Sequence, residues 1–136
     1  MTTLTDAEVV AAFMDSFNER GVDGASEWVT SGVEMHSAPG WAGKPLYIGV
    51  DGARELAAEW TESFDEYEWV PGRFEEVRGG CVTALFRHRG RTRDGVRIDA
   101  PLAAVFEVTD GLVDRVRFFF TWEEALEAAH VEEEVQ

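Results

Sequence analysis

The sequence predicts an α+β fold, with helices packed on one face of a mainly antiparallel sheet. Three observations carry this. Apolar residues recur at helical spacing near the N-terminus and again after Asp51. A short alternating strand pair lies between those stretches. From Tyr67 to Thr121 the apolar period drops to two.

The elements follow in order. Thr5-Asp6-Ala7-Glu8 has the form of a capping box and opens a helix over residues 5–20. Its stripe is Val9, Val10, Phe13 and Phe17, and Gly21 is a plausible stop. Asp23 to Val29 reads as a short second helix. Val33–Ser37 is a short strand, Ala38 to Pro45 a turn-rich loop holding Trp41, and Leu46–Ile48 a second short strand. Asp51 is placed to cap a third helix from Gly52 to about Phe64, with Ala53, Leu56, Ala57, Trp60 and Phe64 along one stripe.

Tyr67–Val77 is a strand interrupted at Pro71-Gly72, where a bulge or an edge is expected. Arg78-Gly79-Gly80 turns into Cys81–Arg89, and Asp94-Gly95 into Val96–Val108. Asp110-Gly111 leads into Leu112–Thr121 as a hairpin. A short acidic helix, Glu123–Ala129, precedes a loose tail over 130–136. Alternation sends Val96, Ile98, Ala100, Leu102, Ala104, Phe106 and Val108 toward the helices. Val82, Ala84, Phe86 and His88 share that face, as do Val116, Phe118 and Phe120.

Composition narrows the function. The chain has 136 residues, the size of a single domain over 1–136, structured over about 5–129. Its formal charge is −15. Residues 1–72 hold 14 acids against 3 bases, and 123–136 hold 6 acids and no base. Nucleic acid and anionic membrane surfaces are poor partners for such a chain. The single cysteine, Cys81, cannot form an internal disulfide, which favours a cytoplasmic location. No apolar run reaches membrane-spanning length, and the first residues lack a secretory pattern. Three scattered histidines give no metal-ligand spacing, and no glycine-rich phosphate loop is present. Neither metal nor cofactor is expected.

Phe17-Asn18-Glu19-Arg20-Gly21 closes the first helix, and Val33-Glu34-Met35-His36 is followed by Pro39-Gly40. Tyr47 to Gly52 then leads into a helix ending near Trp60, and the last strand carries Phe118-Phe119-Phe120. In the order and spacing of these segments the chain resembles nuclear transport factor 2-like domains of the SnoaL-like or ketosteroid-isomerase-like branch, over about residues 5–129. The resemblance implies a cystatin-like roll. In it a cone-shaped, mixed but largely antiparallel sheet wraps around three N-terminal and central helices. It also implies a mostly apolar pocket at the open end that takes a small apolar molecule.

The chemistry the branches use can be carried over position by position. In the isomerase branch a tyrosine and a neutral aspartate clamp the oxyanion, and a carboxylate is the base. The clamp positions fall on Phe13 and Ala104, and the base near Met35 or Ser37, so that mechanism is disfavoured. The epoxide-hydrolase relay meets Arg87, Arg89 and Phe118 and lacks its carboxylates. The polyketide-cyclase branch needs an acid/base over an aromatic pocket, which His88 or His36 could supply. The pocket would be lined by Phe13, Met35, Trp41, Tyr47, Trp60, Phe86, Leu102, Ala104, Phe106, Phe118 and Phe120.

Two readings stay open. One is an isomerase, cyclase or lyase using general acid–base chemistry on an apolar carbonyl compound. The other is a non-catalytic binding or carrier module. A homodimer is expected through the outer sheet face, where Leu85, Ala103, Val105 and Phe119 form an apolar centre among Arg87, Arg115, Arg117 and Glu107. With Phe13 and Ala104 at the oxyanion positions, β,γ-unsaturated ketosteroids should not be isomerised at a useful rate. Losing even one such donor costs about 10²–10³ in rate. A spectrophotometric isomerase assay showing robust turnover would prove the positional mapping wrong.

Overall fold

The computed structural model describes residues 3–41 and 43–135, with side chains described as far as His130. Gln136, the last residue of the expected tail, lies outside the described residues. Helix α1 spans Asp6–Ala25 and a 3₁₀ turn spans Ser26–Trp28. Strands β1 and β2 are Val29–His36 and Leu46–Ile48, and helix α2 is Gly49–Thr61. The meander is β3 Phe64–Arg78, β4 Cys81–Thr92, β5 Arg97–Thr109 and β6 Leu112–Phe119, and α3 is Trp122–Val135.

The capping box at the start of α1 is complete. The Glu8 N–H donates to Thr5 Oγ1 at 3.1 Å and the Thr5 N–H to Glu8 Oε1 at 2.8 Å. Gly21 takes φ +64°, a conformation that costs glycine little. The helix breaks there, and the short second helix read over 23–29 is the segment from Val22 through the 3₁₀ turn. Helix α2 starts at Gly49, three residues before the expected first turn, so Asp51 lies inside that turn and Ile48 is the cap residue. The helix ends at Thr61, and Phe64 opens β3 instead of extending the α2 stripe.

The six strands form one open, mixed sheet in the order β2-β1-β6-β5-β4-β3. Every pairing is antiparallel except β1 beside β6. The register shifts between Pro71 and Arg73, at the expected bulge. On β4, a Cβ on Gly90 would lie 2.2 Å from the Glu66 carbonyl oxygen, so only glycine lets β3 and β4 approach there. Asp110 and Gly111 both have positive φ, as a type I′ hairpin requires.

The predicted sheet faces hold through the middle of the meander. Val82, Ala84, Phe86, Leu102, Ala104, Phe106, Val116 and Phe118 pack into one core with Val9, Val10, Phe13 and Met14 of α1. The rim departs from the pattern. Val96 is 57% exposed, and Phe120, just past the end of β6, is 43% exposed. Alternation only assigns a face; whether a helix covers that face at the strand ends is a matter of helix length.

The outer face brings a correction. Its apolar centre is not a free surface for a second copy, because the chain's own α3 lies over it. Ala125 and Ala129 of α3 form one buried cluster with Cys81, Ala103 and Val105, and Leu85 and Phe119 pack against its edge. The helix runs to Val135, where the sequence reading ended it at Ala129. An alanine- and glutamate-rich stretch has the intrinsic propensity to continue.

Replacing Ala129 by Glu forces a larger, charged side chain into the seam between α3 and Ala103 and Val105. The variant should lose about 2–4 kcal/mol by urea unfolding and show a higher apparent mass by light scattering as α3 lifts. Unchanged stability and mass would mean that α3 does not cover the sheet in solution.

Candidate functional site

The concave side of the sheet and helices α1 and α2 enclose an apolar cavity. Phe13, Phe17, Val22 and Ala25 come from α1, and Val50, Ala53, Leu56, Ala57 and Trp60 from α2. Val29, Met35, Trp69 and Phe118 come from the sheet. Ser26 supplies the one hydroxyl, which donates to the Asp23 carbonyl at 2.9 Å. The space between the lining atoms is about 460 Å³, but the centre of a water molecule can move through only about 30 Å³ of it. Any ligand larger than a few waters must part side chains to enter.

Aromatic rings make up much of the wall. Trp60 meets Phe118 edge-on at 4.9 Å and Trp69 at 6.0 Å, and tilts against Trp41 at 5.6 Å. Phe17 stacks on Trp69 at 4.4 Å. The Asn18 amide fixes that stack by bonding both backbone groups of Trp69. Its Nδ2 donates to the carbonyl at 2.6 Å, and its Oδ1 accepts from the N–H at 2.8 Å. A side chain on α1 thus takes the place of a further strand along the β3 edge.

His88 lies on the concave face, opposite Trp69 in the β3–β4 register, but outside the cavity wall. Trp69 Nε1 donates to the Tyr67 hydroxyl at 3.2 Å, and that hydroxyl lies 3.3 Å from His88 Nδ1. With the oxygen accepting from Trp69, its proton is directed to Nδ1, which leaves the imidazole proton on Nε2. Burial pushes His88 below the usual histidine value, against a smaller opposing pull from Asp99. Burial also raises the Tyr67 phenol to about 12, although the Trp69 N–H favours the phenolate. Near neutral pH the pair is a neutral imidazole beside a neutral phenol. Tyr67 also borders an open polar cleft with Asn18, Glu66, Arg89, Arg97 and Asp99.

The remaining expected residues fall into three groups. Phe13, Met35, Trp60 and Phe118 line the cavity. Phe86, Leu102, Ala104 and Phe106 are buried in the core behind it and do not line it. Trp41 does not line the cavity; it lies between Trp60 and Phe120, stacked on Phe120 at 6.0 Å. Buried Tyr47 donates its hydroxyl to Glu59. His36 points to the other face, level with Arg117 in the β1–β6 register, and its Nε2 sits 2.9 Å from Glu34 Oε1. The structure therefore brings neither histidine into the cavity.

Several site residues escaped the sequence reading. Phe17, Ala53, Leu56 and Ala57 were legible as helical stripes, but nothing in a stripe separates a cavity wall from plain core. Trp69 and Tyr67, two apart on β3, were legible as one face. Their link to His88 needed the strand register.

Comparison with known proteins now bears on this geometry. A family profile described as SnoaL-like domain matches residues 10–116. The chain belongs to the SnoaL-like family. Solved structures agree in fold. TerC, co-crystallised with polyporic acid, superposes with a TM-score of 0.75 at 19% identity, over 90% of this chain and 98% of that one. A nuclear transport factor 2-like protein of unknown function from Burkholderia pseudomallei gives 0.74 at 16%, over 92% and 97%. A protein named as a SnoaL-like polyketide cyclase from a Jannaschia species gives 0.70 at 22%, over 90% of each chain. No curated protein matches the sequence. Among the described residues, no helix is long and apolar enough to cross a membrane and no metal-ligating cluster is present.

Tyr67→Phe should expose the energetics of the hydroxyl chain. At neutral pH it leaves Trp69 Nε1 and His88 Nδ1 short of a partner, a loss of about 1–3 kcal/mol. The advantage fades in alkali. A phenol raised to about 12 when folded, from 10.0 as a free group, gives stability that is complete below pH 10 and drains away as pH rises through 12. Urea unfolding at pH 7 and pH 11 should show the gap between parent and variant narrowing; a constant gap would contradict the burial of Tyr67.

Proposed function

We propose that this SnoaL-like domain binds one small, apolar, ring-bearing molecule between α1, α2 and the concave sheet, and that the cavity itself performs no proton transfer. One observation carries the reading: among the described residues, no ionisable side chain lines the cavity. A general acid or base must come within hydrogen-bond reach of the proton it moves, directly or through one water. Aromatic walls at edge-on and stacked geometries suit a flat hydrocarbon skeleton. The TerC structure with polyporic acid supports a small organic ligand in this fold. The lone buried thiol of Cys81 supports a cytoplasmic setting.

The cyclase or isomerase reading rests on a different observation, the neutral Tyr67–His88 pair beside the polar cleft. In that reading the His88 imidazole exchanges a proton with a carbonyl compound whose apolar part occupies the cavity. The outer face gives less support to a homodimer, since α3 takes the position that a partner would fill.

Indane, a bicyclic hydrocarbon, should quench tryptophan fluorescence and raise the melting temperature, and Ala53→Phe, which fills the cavity, should abolish both effects. His88→Phe should leave indane binding unchanged. Absence of both effects in the parent protein would end the cavity reading.

A further inference from the structure

Two tryptophans line the cavity, and their indole nitrogens have different fates. Trp69 Nε1 donates to Tyr67. Trp60 Nε1 is sealed from solvent and has no hydrogen-bond partner. A buried donor without an acceptor carries the full cost of its desolvation, and native structures keep few of them. Around the Trp60 ring stand Phe118, Trp69 and Trp41, whose ring faces are weak acceptors at best.

The same ring restricts access. With room for only about 30 Å³ of water-centre movement, a ligand enters by parting the rings, and Trp60 is central among them.

We infer that the Trp60 indole N–H is the polar anchor of the cavity and selects ligands that carry an uncharged hydrogen-bond-accepting oxygen, such as a ketone or quinone carbonyl, on an otherwise apolar ring system. This rests on the binding reading above and makes it more specific. Carboxylates and phosphates are disfavoured, because among the described residues no cationic side chain lines the cavity to meet their charge. Pure hydrocarbons fit but leave the N–H unmatched. Trp60 is thereby a specificity determinant, and it acts on binding without moving a proton.

The test compares 1-indanone with indane, which differ by one carbonyl oxygen in place of two hydrogens, on the parent protein and on Trp60→Phe. Phenylalanine keeps an aromatic ring and removes the donor. The ratio of the indane Kd to the indanone Kd should fall about tenfold in the variant, the size of one recovered hydrogen bond. An equal ratio in both proteins would show that Trp60 only packs, while leaving the cavity reading intact. Failure of both probes to bind the parent would sink the cavity reading and this inference together. Should the variant not fold, the parent alone decides by NMR: the Trp60 indole proton should move downfield with 1-indanone and not with indane. Equal shifts with the two probes would overturn the assignment.

Discussion

Strand β5 has no face to give to water. From Leu102 to Phe106 five successive residues are buried, although strand geometry sends neighbours to opposite sides. Both sides must therefore be covered, and the rest of the molecule is arranged to do it. Helix α1 lies on the side of Leu102, Ala104 and Phe106; α3 lies on the side of Ala103 and Val105. The sizes of those side chains match their roles. Small Ala103, Ala125 and Ala129 let α3 settle close, while Phe13 meets Phe106 at 5.9 Å, edge-on, across the larger inner gap.

The cavity is a consequence of the same arrangement. Helix α1 is long enough to cover the middle of the sheet and breaks at Gly21, and α2 approaches from the β1–β2 side. Between the two helices and the sheet, bulky aromatic side chains meet aliphatic ones. Trp60, Trp69, Phe17 and Phe118 fill the space imperfectly, and the Asn18 clamp on the Trp69 backbone stops that edge from relaxing inward. A packed interior ordinarily closes such gaps. Here the clamped β3 edge and the bulky rings leave one unfilled.

The polar groups separate by environment. The Tyr67–His88 pair sits at the rim, where partial burial keeps both neutral and each satisfies the other. His36 pairs with Glu34 on the outer side. Among the described cavity-lining residues, Trp60 carries a buried nitrogen without a hydrogen-bond partner. The apolar cavity and the titratable Tyr67–His88 pair thus lie in different neighbourhoods of the fold. A reaction would need a ligand long enough to reach from one to the other.

The sequence by itself determined the period of each segment and hence the elements, the hairpin at Asp110-Gly111, the bulge near Pro71 and the inner face of β4 to β6. These are local properties, fixed by backbone preferences and by alternation. It also placed His36 on the face opposite Met35, for the same reason. Tertiary structure decided what each face meets. Alternation carried His88 toward the interior, but the cavity stops short of it, because its extent depends on where α1 and α2 part. Phe120 has the right parity for the core and is exposed, since β6 ends one residue before it. The apolar centre of the outer sheet looked like a place for a partner because composition cannot say which covering surface arrives. The chain's own α3 arrives first, from a stretch whose alanines show no strong apolar stripe. That Trp60 lacks a partner while Trp69 has one follows from distances between residues far apart in sequence, which no spacing rule contains.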